Sequence, residues 1–292
     1  MIRAVALGLA VLVAAGPCAA GAQQKARIVT TSADLKSLVD AVGGDRVEAE
    51  SLAVPEQDPH SIELRPGQLA SLREAALLVR IGLDHEPWLA RALGGLKLPV
   101  LDASKDIKLL QTTTPRLRAE RAAHVHAYGN THYWLDPDNA RPITAAILAS
   151  LAELRPADRA VFEANRAAFL SRLGGRIAEW DKALAPHRGV RVVVMHDSWA
   201  YFAERFGLQA VAAVEPSPGI PPSPAELATL FKRMRESGVR ILIAEPSANP
   251  ALVRQIVEKA VARAVTLSPS GFDYIALFEE NVKRLSAALK AE

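Results

Sequence analysis

Three of the chain's seven histidines, His124, His126 and His132, fall within the stretch HVHAYGNTHYWLDPDN at 124–139. Neutral imidazole is the commonest protein metal ligand, so this density points to a metal site, although polar loops also hold histidines that bind nothing. The setting divides the three. His124 and His126 lie among small and polar residues, as in a loose loop. His132 opens the aromatic pair Tyr133-Trp134 and the turn Asp136-Pro137-Asp138, which should hold it more firmly. His60, in PEQDPH, and His196, after VVVM, share another feature: each lies just past a predicted strand.

The donor types available are limited by the first 22 residues. Arg3 precedes an apolar run at 4–15, and Ala20-Gly21-Ala22 offers a small-residue cleavage pattern. The run is shorter than the roughly 20 residues a bilayer span requires. A cleavable secretory signal peptide is therefore expected, cut after Ala22, with the mature protein exported and not membrane-spanning. The single cysteine, Cys18, lies inside this segment, and Pro17 before it argues against a lipidated N-terminus. A mature chain without cysteine has no disulfide and no thiolate site, so any metal must take nitrogen and oxygen donors. The 292 residues are half hydrophobic and 23% charged with a net charge of +3, the composition of a folded soluble protein with acids and bases interleaved. Nothing in that balance suggests a nucleic-acid partner.

The elements that must position these histidines alternate. Strands are predicted at 27–31, 47–54, 77–81 and 99–101, with helices at 35–42 and 66–76 between them. Such alternation implies a parallel sheet flanked by helices. A helix at 139–154 ends before Pro156. A longer periodic segment at 157–184 places Phe162, Phe169, Leu173, Ile177, Trp180 and Leu184 three, four or seven apart. A helix of that length exceeds what one small α/β layer needs and reads as a strut between two halves. The alternation then resumes, with strands at 190–195, 210–214, 239–244 and 265–267 and helices at 224–237 and 272–290. Ser223 with Glu226 forms a capping box for the first of these. The predicted organisation is a signal peptide at 1–22, an N-terminal α/β lobe at 23–156, a linking helix at 157–185 and a C-terminal α/β lobe at 186–292. In open α/β sheets ligands sit beyond the carboxyl ends of strands. Two such sheets facing one another would bring His60, His132 and His196 into one cleft.

The stretches DPHSIELRP, GLDHEPWL, GNTHYWLDPDNA, VVVMHDSWAYFAERFGL, EPSPGIPPSPAEL and AEPSANP resemble, in order and over most of the mature chain, the zinc and manganese solute-binding proteins of ABC importers. The resemblance implies two similar α/β lobes joined by one long rigid helix, with a metal ion in the inter-lobe cleft. It carries His60, His132 and His196 onto three ligand positions. Histidine at 196 resembles the zinc-type members, so zinc is the expected metal and manganese the runner-up. The family often has a fourth ligand, an aspartate, where this chain has Ser268. Water, Asp273 or Glu245 are the substitutes to consider. His124 and His126 resemble a shortened histidine-rich loop that captures zinc and passes it on, or are ordinary loop residues. His85 falls in a matching segment away from the ligand positions. Asp136 and Asp197 are candidates to orient ligand imidazoles.

The expected function is capture of a divalent metal and delivery to an ABC permease powered by its ATPase, by a monomer that is not an enzyme. Affinity should fall below about pH 6.5, where imidazole protonates. A periplasmic zinc metallochaperone is the alternative. A zinc-dependent hydrolase is a further one, since three histidines and an open position also describe a catalytic zinc site. Hydrolytic sites commonly draw two ligands from one short motif, however, whereas these three lie on separate loops.

Overall fold

The computed structural model describes residues 24–57, 60, 62–110, 129–215 and 220–290. The N-terminal segment expected to be a signal peptide, with Cys18, and His124 and His126 lie outside the described residues.

The first sheet is built from β1 (Ala26–Thr30), β2 (Val47–Ser51), β3 (Leu77–Arg80) and β4 (Val100–Asp102), ordered β2-β1-β3-β4. The second contains β5 (Arg191–Val194), β6 (Gln209–Ala213), β7 (Ile241–Ala244) and β8 (Arg263–Thr266), ordered β6-β5-β7-β8. Every pairing is parallel. The two sheets are therefore topological repeats. Central strands such as Leu77-Leu78-Val79 and Ile241-Leu242-Ile243 are buried along their length. Helices on both faces of a parallel sheet require that continuous apolar pattern.

In the first half the helices are α1 (Ala33–Gly43), α2 (Pro66–Glu74), α3 (Leu89–Leu93) and α4 (Ala140–Leu154). Ser32 caps α1 by accepting from the Leu35 N–H. The strut is α5 (Arg159–Leu184), 26 residues preceded by a 3-10 turn at Pro156–Asp158, and it runs about 39 Å. Its buried residues are the six expected from periodicity. Then follow α6 (Ala200–Phe206), α7 (Pro224–Ser237), α8 (Pro250–Ala260) and α9 (Tyr274–Lys290). Helix α7 opens with the expected capping box, Ser223 and Glu226.

Helix α5 is packed by α1 and α4 from the first lobe and by α9 from the second. One core cluster consequently runs without a break from Ile28 and Leu38 through Phe162 and Trp180 to Phe278 and Leu285. The lobes are thus fused through the strut, not tethered by a free linker.

Candidate metal centre

Two of the expected ligands lie beyond the carboxyl end of a strand, His60 past β2 and His196 past β5, while His132 directly precedes the 3-10 turn Tyr133–Leu135. Among the described residues, His60, His132 and His196 offer donor atoms that all lie within 4.8 Å of one another. His132 is buried and the other two are partly exposed. The cleft beside them measures about 310 Å³, with His132, His196, Trp134, Asp34, Glu245 and Ser270 among its lining residues.

Hydrogen bonds to the rings decide which nitrogen faces a metal. His60 Nδ1 lies 3.0 Å from the His85 carbonyl. A carbonyl only accepts, so Nδ1 donates and Nε2 keeps the lone pair. His132 Nδ1 is 3.2 Å from Asn130 Oδ1. His85 is buried, its Nδ1 2.7 Å from Thr131 Oγ1, and its ring lies 4.0 Å from His60 and 5.1 Å from His132. It braces the site from behind. Its turn is special: Gly82, Leu83 and Asp84 all have positive φ, at 81°, 57° and 57°. Non-glycine residues seldom adopt that conformation unless the surroundings impose it. At Gly82 a Cβ would lie 2.2 Å from the Asp102 carboxylate, so only glycine fits. Glu86 accepts from the N–H groups of Ile81 and Gly82 and from Thr31 Oγ1, which holds the turn in place.

The second lobe supplies the other wall. Glu245, at the end of β7, accepts from the Trp199 indole at 2.6 Å and from the His196 backbone N–H. Burial pushes its carboxyl up to about 8. It lines the cleft but is not one of the three convergent donors. Asp273 is exposed and accepts from the Ala276 N–H in the first turn of α9; it too is outside that group. Position 268 is bracketed by the buried Asn281 amide, which accepts from the Ser268 N–H and donates to its carbonyl. Asp136 does not orient a ligand: it accepts from the Asp138 N–H and lies 3.8 Å from Arg205. Asp197 takes part through its backbone carbonyl, to which Asn130 Nδ2 donates at 2.8 Å.

Cross-lobe bonds close the seam around this centre. Asp34, fully buried in α1, accepts from Ser270 Oγ at 2.5 Å and from the Gly271 N–H at 3.1 Å. Burial raises its carboxyl to about 7. The Trp134 indole donates to the Pro269 carbonyl, and Tyr274 Oη donates to the Trp134 carbonyl. Asn130 and Asp34 escaped the sequence reading. For Asn130 a local signal existed, an amide two residues before a histidine; Asp34 offers none beyond its place in a helix's first turn.

Two repeated parallel-sheet lobes fused by a long helix, with imidazoles converging in the cleft between them, define a metal-binding solute-binding protein. The family model described as zinc-uptake complex component A, periplasmic, matches residues 28–288, and the chain belongs to that family. It is 30% identical to the high-affinity zinc uptake system protein ZnuA of Paracoccus denitrificans (strain Pd 1222), over 93% of this chain and 90% of that protein. The protein of the same name from Yersinia pestis is 27% identical, over 84% of this chain and 83% of its own. A solved structure described as the crystal structure of ZnuA superposes with a TM-score of 0.80 at 28% identity, covering 91% of this chain and 99% of that one.

Proposed function

We propose that this protein captures zinc in the periplasm through Nε2 of His60 and His132 and a ring nitrogen of His196 and delivers it to an ABC permease driven by its ATPase. The convergence of three histidine donors within 4.8 Å carries this reading. Imidazole-rich donor sets suit zinc, whereas manganese favours oxygen; that ranks zinc first and manganese second. Water takes the fourth coordination position, because Asp273 serves as a helix cap and Glu245 braces Trp199 and the His196 backbone. The lobes meet the strut near residues 156 and 186, and the N-terminal signal segment directs export and is then removed. No helix among the described residues is long and apolar enough to cross a membrane.

Zinc titration of His132→Ala and His196→Ala tests the assignment. Each should lose at least about a hundredfold in affinity, or roughly 3 kcal/mol. Parental affinity in either variant would remove that residue from the site. The chain's own competition between zinc and manganese, measured by metal content after dialysis against both ions, checks the metal ranking.

A further inference from the structure

Asn130 is 4% exposed and stands where the two lobes meet. Its side-chain oxygen accepts from the His132 backbone N–H at 2.9 Å and lies 3.2 Å from His132 Nδ1. Its nitrogen donates to the Asp197 carbonyl at 2.8 Å. These partners leave no freedom in how the amide is turned. The Asp197 carbonyl can only accept, so it faces the amide nitrogen; the His132 N–H can only donate, so it faces the oxygen. With Oδ1 thus an acceptor, His132 Nδ1 has to carry the proton, and Nε2 is left with the lone pair. A carbonyl on one lobe therefore sets the amide, and the amide sets the imidazole on the other.

We propose that Asn130 is the positioning residue that fixes the Nδ1–H tautomer and ring orientation of His132, with its own orientation imposed across the cleft by the Asp197 carbonyl. The proposal rests on His132 being a zinc ligand. His60 obtains the same tautomer from a backbone carbonyl, that of His85, which no substitution can delete. At Asn130 side-chain chemistry controls a ligand nitrogen, and partners of this kind typically change metal affinity about 10- to 100-fold when removed.

The test measures the protonated ring nitrogen of His132 by ¹⁵N NMR on the metal-free protein, alongside zinc titration, for the parent, Asn130→Ala and Asn130→Asp. The parent should show Nδ1–H. In Asn130→Ala the Nε2–H form should appear and zinc affinity fall about 10- to 100-fold. Asn130→Asp keeps an oxygen acceptor for Nδ1–H, so it should restore the tautomer and bind zinc more tightly than Asn130→Ala. An unchanged tautomer in Asn130→Ala overturns the proposal even if affinity drops, because the loss would then be one of packing alone. Should Asn130→Ala not fold, an Nε2–H tautomer in Asn130→Asp overturns it equally. A parent protein that binds no zinc defeats the transport reading instead, and the metal-free tautomer measurement still decides the role of Asn130.

Discussion

Glu245 shows how one side chain can sit in a metal cleft and still serve structure. Its carboxyl accepts from the Trp199 indole and the His196 backbone while burial holds its pKa near 8. At neutral pH it is mostly protonated, and a glutamine is then close to an isostere. Glu245→Gln is expected to bind zinc within about threefold of the parent, a change below 1 kcal/mol, whereas Glu245→Ala leaves the Trp199 indole without its acceptor and should destabilise the lobe by about 1–3 kcal/mol. Isothermal titration and thermal melts on the two variants separate bracing from ligation; a large loss of affinity in Glu245→Gln would make it the fourth ligand. The three histidines, and the strand-end placement of His60 and His196, were readable from residue type and local pattern. The partners that choose their tautomers were harder to read: the His85 carbonyl reaches His60 from 25 residues away, and Asn130, though two residues from His132, is turned by the Asp197 carbonyl 67 residues away.

At the scale of elements, the strut is what periodicity reveals best. Phe162, Phe169, Leu173, Ile177, Trp180 and Leu184 form its buried stripe, since a 3.6-residue repeat is a local property. Gly175 lies on the exposed side, and a Cβ there would meet nothing within 4 Å. Gly175→Ala should therefore stabilise the protein by about 1 kcal/mol through helix propensity, visible as a higher denaturant midpoint with an unchanged slope. Short helices were less legible: α3 has five residues and α6 seven, too few turns to establish a period. Strand ends shifted by one to three residues from expectation, as β2 stops at Ser51 where hydrophobic alternation continues to Val54. The chain there turns away from its pairing partner toward the His60 loop.

For the whole molecule, the seam between lobes matters as much as either sheet. Asp34 is buried at the junction with Ser270 and Gly271, and its pKa rises from 3.8 to about 7. Between about pH 4 and pH 7 the folded state holds a proton on this group that the unfolded chain has released. Its contribution to stability therefore falls as pH rises through that window and is lowest above pH 7. Asp34→Asn should remove this slope and raise the stability of the metal-free protein at pH 8 by up to about 4 kcal/mol, with little change at pH 4. Denaturant unfolding at the two pH values checks it, and an equal effect at both would show that Asp34 is not a buried proton carrier. The continuous core through α5 predicts that such a change is felt in a single unfolding transition.

By itself the sequence determined the class of fold, the strut, the capping box at Ser223 and the three candidate imidazoles, two of them at strand ends. Each of these depends on periodicity, turn chemistry or residue type over a few neighbouring positions. Tertiary structure alone decided which groups meet: across the cleft Asn130 with the Asp197 carbonyl, Asp34 with Ser270 and Trp134 with Pro269, and within the first lobe His60 with the His85 carbonyl. These pairs are separated by 67, 236, 135 and 25 residues. No local pattern encodes such a pairing, because it arises only when loops distant in the chain are brought together, by one sheet's strand order for His60 and His85 and by the shared helix that sets the two sheets face to face for the others.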